Sequence, residues 1–236
     1  MKISGLQKMT LLDYPGKVAC TVFTQGCNFR CPFCHNSDLL GGTGPEEIGI
    51  DTLMAFLKKR VGLLDAVCIT GGEPTLQKDL DSLLEQIKAL GYLVKLDTNG
   101  TDPAMVKELV ARGLVDYIAM DIKNSPEKYG DTAGVSKMDL TAIEETMQFL
   151  LQGTVSYEFR TTVVAQLHTH QDMESIGRWL QKLSPDRKPA ALYLQGYTDR
   201  ESVLMAGLTA HSKETMQEFA DILAPYADKV ELRGVR

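Results

Sequence analysis

Cys27, Cys31 and Cys34 stand at spacings of four and three in one short stretch, with His35 and Asn36 directly after them. Thiolates spaced this closely can hold a metal centre, and two centres suit the set. Zinc would take the three cysteines and His35, although the adjacency of Cys34 and His35 makes joint ligation awkward. A four-iron cluster would take the three cysteines and leave one iron open to an outside ligand. An open position marks a reactive site rather than a sealed structural one. The remaining cysteines of the five, Cys20 and Cys68, lie in apolar runs and read as small core residues. An odd count, in a chain that opens without an apolar signal core, argues against a disulfide framework and for a cytoplasmic setting.

The elements that must position these thiols are legible in the periodicity. Near-continuous apolar runs at 17–24, 66–70, 92–97, 115–121, 155–162 and 190–195 read as strands buried on both faces. Amphipathic stretches lie between them. Leu80, Leu83, Leu84, Ile87 and Leu90 follow helical spacing, with Gly91 as a left-handed stop. Asp102 and Pro103 suit a helix start, and Gly113 and Gly153 suit helix ends. Asp51, Asp139 and Asp172 are expected to open further helices, and a last one is expected from Ser212 to Leu223. Six strand–helix repeats predict parallel strands joined by right-handed crossovers, in a single domain over residues 1–236. Periodicity alone leaves an open barrel and a doubly wound sheet as alternatives.

The polar residues gather behind the strands. The cysteine stretch follows the first, Gly71-Gly72-Glu73-Pro74 the second and Asp97-Thr98-Asn99-Gly100 the third. Asp121-Ile122-Lys123 closes the fourth, Arg160 lies in the fifth and Gln195-Gly196 ends the sixth. In parallel α/β folds the carboxyl ends of the strands are where ligands bind. Asp121 and Lys123 alternate along a strand, so their side chains share one face and need partners there.

Taken together, C-x3-C-x2-C after the first strand, Phe33 before its last cysteine, and GGEP after the second strand resemble the radical S-adenosylmethionine (SAM) superfamily. The resemblance implies an α/β fold, a partial (βα)6 barrel with an open parallel sheet and outer helices. It implies a [4Fe-4S] cluster on Cys27, Cys31 and Cys34, with SAM on the fourth iron. It also implies reductive cleavage of SAM to a 5′-deoxyadenosyl radical. For SAM it implies contacts from Phe33, Asn36, Gly71, Gly72, Glu73, Asp97, Asn99, Asp121, Lys123, Arg160 and Gln195.

A narrower resemblance rests on Asp13-Tyr14-Pro15-Gly16-Lys17, Cys34-His35-Asn36, Asp97-Thr98-Asn99-Gly100 and Asp121-Ile122-Lys123. These look like the glycyl-radical-enzyme activating proteins, most of all those of anaerobic ribonucleoside-triphosphate reductase, with pyruvate formate-lyase activases second. The latter carry a glycine where this chain has Tyr14 and a histidine where it has Gln195. This resemblance implies a glycyl radical enzyme as protein substrate and a flavodoxin- or ferredoxin-type electron donor. It further implies a monovalent cation on Asp97, Thr98 and Asp121, and a contact from Asp13 to the partner. A small-molecule or nucleoside substrate, and a non-catalytic zinc module, are the competing expectations.

Composition bounds the rest. The chain has 236 residues, 44% of them hydrophobic, and a formal charge of −6. That is ordinary globular material, and its mild acidity argues against a nucleic-acid-coating or membrane-surface protein. No stretch approaches the roughly 20 apolar residues of a membrane span.

Overall fold

The structure, a computed structural model, describes residues 1–41 and 47–235. Its elements in chain order are β1 (Ile3–Thr10), β2 (Ala19–Thr24), α1 (Ile50–Lys58), β3 (Ala66–Gly71), α2 (Leu80–Ala89), β4 (Leu93–Thr98) and α3 (Pro103–Ala111). Then follow β5 (Tyr117–Asp121), α4 (Tyr129–Ala133), α5 (Thr141–Leu151), β6 (Ser156–Val163), α6 (His170–Leu183), β7 (Leu192–Gly196), α7 (Lys213–Leu223) and β8 (Val230–Arg233). The strands follow one another in chain order through a mostly parallel α/β sheet. That unreversed order is the winding of barrel-type folds, whereas a doubly wound sheet reverses at a switch point. The six expected strand–helix repeats are present from β2 to α7, flanked by two strands that the periodicity missed.

Those two strands are short of signal. β1 exposes Gln7, Lys8 and Met9, and its antiparallel pairing with β2 shifts register twice. β8 is only four residues long. Three helix starts also differ from expectation, the first being α1, which Gly49 precedes and in which Asp51 is the second residue. Asp172 is the third residue of α6, not its opener; Thr169 caps the helix, and each side chain bonds the other's main chain in a capping box. Asp139 lies two residues ahead of α5, where its carboxylate accepts from the main chain and hydroxyl of Thr141. Gly91, Gly113 and Gly153 do adopt the expected left-handed conformation.

The chain divides into two compact units. One comprises residues 1–28 and 38–119, the other residues 29–37 and 120–236. In the first unit β2, β3 and β4 pair in parallel, Ala19 against Ala66 and Ala66 against Leu93. The pleat sorts their side chains. Cys20, Val22, Val67, Ile69, Val94 and Leu96 share one face and are fully buried. The opposite face begins with an apolar cluster of Tyr14, Ala19, Ala66 and Cys68, joined by Leu93 and Tyr117. Tyr14 and Tyr117 stack at a tilt with centroids 5.7 Å apart. Burial pushes the Tyr14 hydroxyl up to about 12, so it stays protonated. Further along that face the residues turn polar: Thr21, Lys95 and Asp97.

In the second unit β6, β7 and β8 pair in parallel, and α6 and α7 pack against each other. Ile122, just past β5, donates its main-chain N–H to the carbonyl of Arg160 at 2.8 Å. Arg233 forks onto the buried Glu158 at 2.9 Å through both terminal nitrogens, and its guanidinium stacks 3.3 Å from the Tyr193 ring centroid. That pair fastens the last strand.

Candidate radical SAM site

Cys31 and Cys34 sit on a turn of the second unit, where the Cys34 N–H bonds the Cys31 carbonyl at 3.0 Å. α4, absent from the sequence reading, props this turn. The main chain of Arg30 bonds the carbonyl of Ala133 at 2.8 Å, and Phe29 meets Tyr129 edge-on. Gly134 ends α4 with φ +67°, and a Cβ there would stand 2.2 Å from the Arg30 carbonyl oxygen. Only glycine fits both demands. From the other side, His35 reaches the carbonyl of Thr198 at 2.7 Å, Ser202 donates to the carbonyl of His35 at 2.8 Å, and Met205 N–H bonds the carbonyl of Pro32 at 3.0 Å. Residues 198–205, unassigned in the sequence, therefore strap the cysteine turn. Phe33 is buried and Asn36 half-buried within it.

A charge cluster faces the turn within the same unit. The Asp121 carboxylate takes Lys123 on Oδ2 at 2.9 Å and Arg160 on Oδ1 at 3.0 Å. Burial pushes that carboxyl up, but the two cations overcome it and hold it at about 2. Burial likewise opposes charge on Lys123, yet the Asp121 carboxylate raises its pKa well above that of a free lysine, and a Cys31 thiolate would add to this. The Cys34 thiol is raised by burial, partly offset by the Asn36 main chain and by Lys123. Gln195 lies exposed on β7.

In the first unit the GGEP turn is braced rather than open. A Cβ on Gly71, which has φ +117°, would lie 2.3 Å from the Thr24 nitrogen. One on Gly72 would lie 2.0 Å from the Gly26 oxygen. The sequence suggests that these glycines admit a ligand; the structure shows that they also admit the end of β2 and the chain just past it. Glu73 is buried and satisfied. Its Oε1 accepts from the N–H and hydroxyl of Thr75 at 3.1 and 2.7 Å and from the Thr98 hydroxyl at 2.8 Å. Its Oε2 accepts from the Asn99 N–H at 2.7 Å. Burial raises the Glu73 pKa against these four bonds. The carboxylate thus ties the turn after β3 to the turn after β4.

Asn99 in turn donates to Asn28 at 2.8 Å, Asn28 donates to Thr101 at 2.8 Å, and Thr101 donates back to Asn99 at 2.7 Å. This ring fixes the residue directly after Cys27. Sequence reasoning passed over Asn28, and also Lys95, a buried lysine that pairs with Asp97 on the same strand face. Asp13 accepts from the Thr21 hydroxyl at 2.5 Å.

None of the described cysteines is in a disulfide, and three of them fall in the loop after β2, a soft donor set of the kind that suits an iron–sulfur cluster. The chain belongs to the radical SAM superfamily, which residues 21–180 match. It is therefore an iron–sulfur enzyme that uses SAM, and of the two centres the cysteines allow, the cluster is the family's. A protein of Methanocaldococcus jannaschii, named as a glycyl-radical enzyme activating enzyme, is 31% identical over 99% of this chain and 96% of its own. The pyruvate formate-lyase-activating enzyme of Listeria monocytogenes is 35% identical over 54% of this chain and 56% of that enzyme. Among solved structures, a radical SAM methyltransferase from Sphaerobacter thermophilus shares the fold with a TM-score of 0.73 at 14% identity, over 96% of this chain and 68% of that one. No helix among the described residues is long and apolar enough to cross a membrane.

Proposed function

We propose that this enzyme installs a glycyl radical on a partner enzyme, with anaerobic ribonucleoside-triphosphate reductase as the first candidate. The support is the relative that matches nearly end to end, since a match of that extent covers the cysteine loop and every strand-end residue together. When bound, the cluster and SAM supply a 5′-deoxyadenosyl radical that abstracts hydrogen from a glycine. Cys27, Cys31 and Cys34 hold the cluster. Lys123 and Arg160, gathered on Asp121, are the cations that would meet the SAM carboxylate, for which the flat two-pronged guanidinium is well shaped. Phe33 would lie beside the adenine, Asn36 would contact SAM, and Gln195 would meet its adenosine end. Asn99 and Asp97 serve the ribose or methionyl groups, and Gly71, Gly72 and Glu73 set the main-chain edge that meets the SAM amine.

A monovalent cation on Asp97, Thr98 and Asp121 belongs to the same reading. It competes with Lys95 for Asp97, with Lys123 and Arg160 for Asp121, and with the bond from Thr98 to Glu73. Asp13 is the proposed contact to the partner, a flavodoxin- or ferredoxin-type protein the electron donor, and residues 1–236 one functional domain. The decisive experiment mixes anaerobically reconstituted, reduced protein with SAM and the reductase. A doublet radical in the electron paramagnetic resonance spectrum of the partner is expected. SAM cleavage with no radical on the partner, or cleavage accelerated by a metabolite alone, counts against the proposal.

A further inference from the structure

The loop after β6 carries a histidine that the functional reading leaves unused. His168 is fully buried. Its Nδ1 lies 3.1 Å from the N–H of Val164, and the carbonyl of Val164 is farther, at 3.3 Å. Its Nε2 lies 2.9 Å from the carbonyl of Lys123. A main-chain N–H can only donate, so Nδ1 is the acceptor, and a neutral ring then carries its hydrogen on Nε2. Nε2–H points at the Lys123 carbonyl and donates to it. Burial lowers the pKa of the imidazole, in keeping with that neutral form.

The next residue makes the same connection from the other direction. Asn124 is also fully buried, and its side-chain N–H2 donates to the carbonyl of Leu167 at 3.0 Å and to the Thr132 hydroxyl at 2.8 Å. Residues 123–124 and 167–168 thus clasp each other twice, side chain to main chain in both directions. The clasp has a backing. His211 reaches the carbonyl of His168 at 2.9 Å, and Ala165 N–H bonds the carbonyl of Thr209 at 2.9 Å. The Lys123 peptide plane is therefore held from a second loop, while its ammonium extends to Asp121 beside Arg160. A turn of that plane would swing the whole side chain.

We propose that His168 is a positioning residue: it fixes the Lys123 main chain and, through it, the approach of the Lys123 ammonium to the SAM carboxylate. The inference rests on the reading of Lys123 as a SAM-carboxylate ligand.

The test is a double-mutant cycle on SAM affinity, read by equilibrium dialysis of the reconstituted enzyme and by the SAM-induced change in the reduced cluster's spectrum. His168→Asn is too short to reach the Lys123 carbonyl and is expected to weaken SAM binding about tenfold, the loss of one buried hydrogen bond. The KM for SAM should rise with it, and kcat for SAM cleavage should stay within about twofold. His168→Gln, whose amide reaches as far as Nε2, should recover most of the affinity at unchanged iron content. In a Lys123→Ala background, neither histidine variant should weaken SAM further. Should His168→Asn fail to fold, His168→Gln alone carries the cycle, with about a threefold loss that vanishes in the Lys123→Ala background. If Lys123→Ala weakens SAM but the histidine variants do not, or add to it fully, positioning by His168 is overturned and the Lys123 reading stands. If Lys123→Ala leaves SAM affinity at the wild-type value, the Lys123 reading falls, and this proposal falls with it.

Discussion

Arg160 places both Nε and Nη2 3.0 Å from one oxygen of Asp121, Oδ1, leaving Oδ2 to Lys123. This division makes the charge state of the cluster a measurable property of the fold. Burial pushes the Asp121 carboxyl up, the two cations more than reverse that, and the group titrates at about 2. A carboxyl depressed in the folded state stabilises the fold above its unfolded pKa, near 4. The contribution is lost as pH falls from there through about 2. Denaturant unfolding of the iron-free protein between pH 7 and 2.5 should show this acid limb, worth at most about 2 kcal/mol. In Asp121→Asn the limb should be flatter. An unchanged limb would mean that the carboxylate does not carry the pairing.

The thiols make a second prediction, because the pleat puts Cys20 and Cys68 on opposite faces of one sheet and buries both. Burial pushes each thiol up to about 12, so neither offers much thiolate at neutral pH. Alkylation of the folded iron-free protein at pH 7.5, followed by peptide mass mapping, should label Cys27 and Cys34 first. Cys31, which is more buried, should follow, and Cys20 and Cys68 should stay unlabelled until denaturant is added. Replacing Cys27, Cys31 or Cys34 with Ala should abolish SAM cleavage. Cys20→Ala should cost about 1 kcal/mol in packing and leave cleavage intact. Equal loss of cleavage in all four variants would show the ligands to be misassigned.

The contrast between these two sets marks how far the sequence speaks. Residue types at strand ends are visible in it because parallel strands announce themselves as apolar runs and helices end on glycines such as Gly91 and Gly113. The partners of those residues are not visible. Lys95 lies inside an apolar run, and although the pleat puts Asp97 on the same face, nothing local says that the lysine will be buried there. Asn28 acquires its role from Asn99 and Thr101, more than 70 residues away. His168 has no ligand-like companions in the sequence, and only the fold returns it to Lys123. β1, β8 and α4 escape for a different reason: each is short or exposed, so pairing and packing decide it more than periodicity does.

Glu73 gives a prediction in which chemistry and stability part company. Its two oxygens receive four hydrogen bonds from Thr75, Thr98 and Asn99, all within the first unit. Glu73→Gln keeps the shape but replaces one acceptor with an N–H2 group, which must then face at least one donor. A buried donor without an acceptor costs about 1–3 kcal/mol. The thermal midpoint should fall by several degrees, in the range of about 2–8 °C. If Glu73 acts chiefly as a brace, SAM affinity should fall by less than Lys123→Ala produces. A large loss of affinity at an unchanged midpoint would instead make the carboxylate a direct ligand.

Gly72 separates the two explanations of the GGEP turn most sharply. If the glycine were there to admit a ligand, alanine would fold normally and only bind poorly. The structure requires otherwise. The Cβ of an alanine would stand 2.0 Å from the Gly26 oxygen, and that oxygen already accepts the Glu73 N–H at 2.8 Å. Neither atom is the far end of a flexible side chain, so the main chain itself would have to move, taking Gly26 and the adjoining Cys27 with it. Gly72→Ala should therefore lower stability by about 3 kcal/mol or more before any cofactor is added. Circular dichroism melts of the iron-free variant check this. A melt matching the wild type, together with weakened SAM binding after reconstitution, would return the glycine to the ligand.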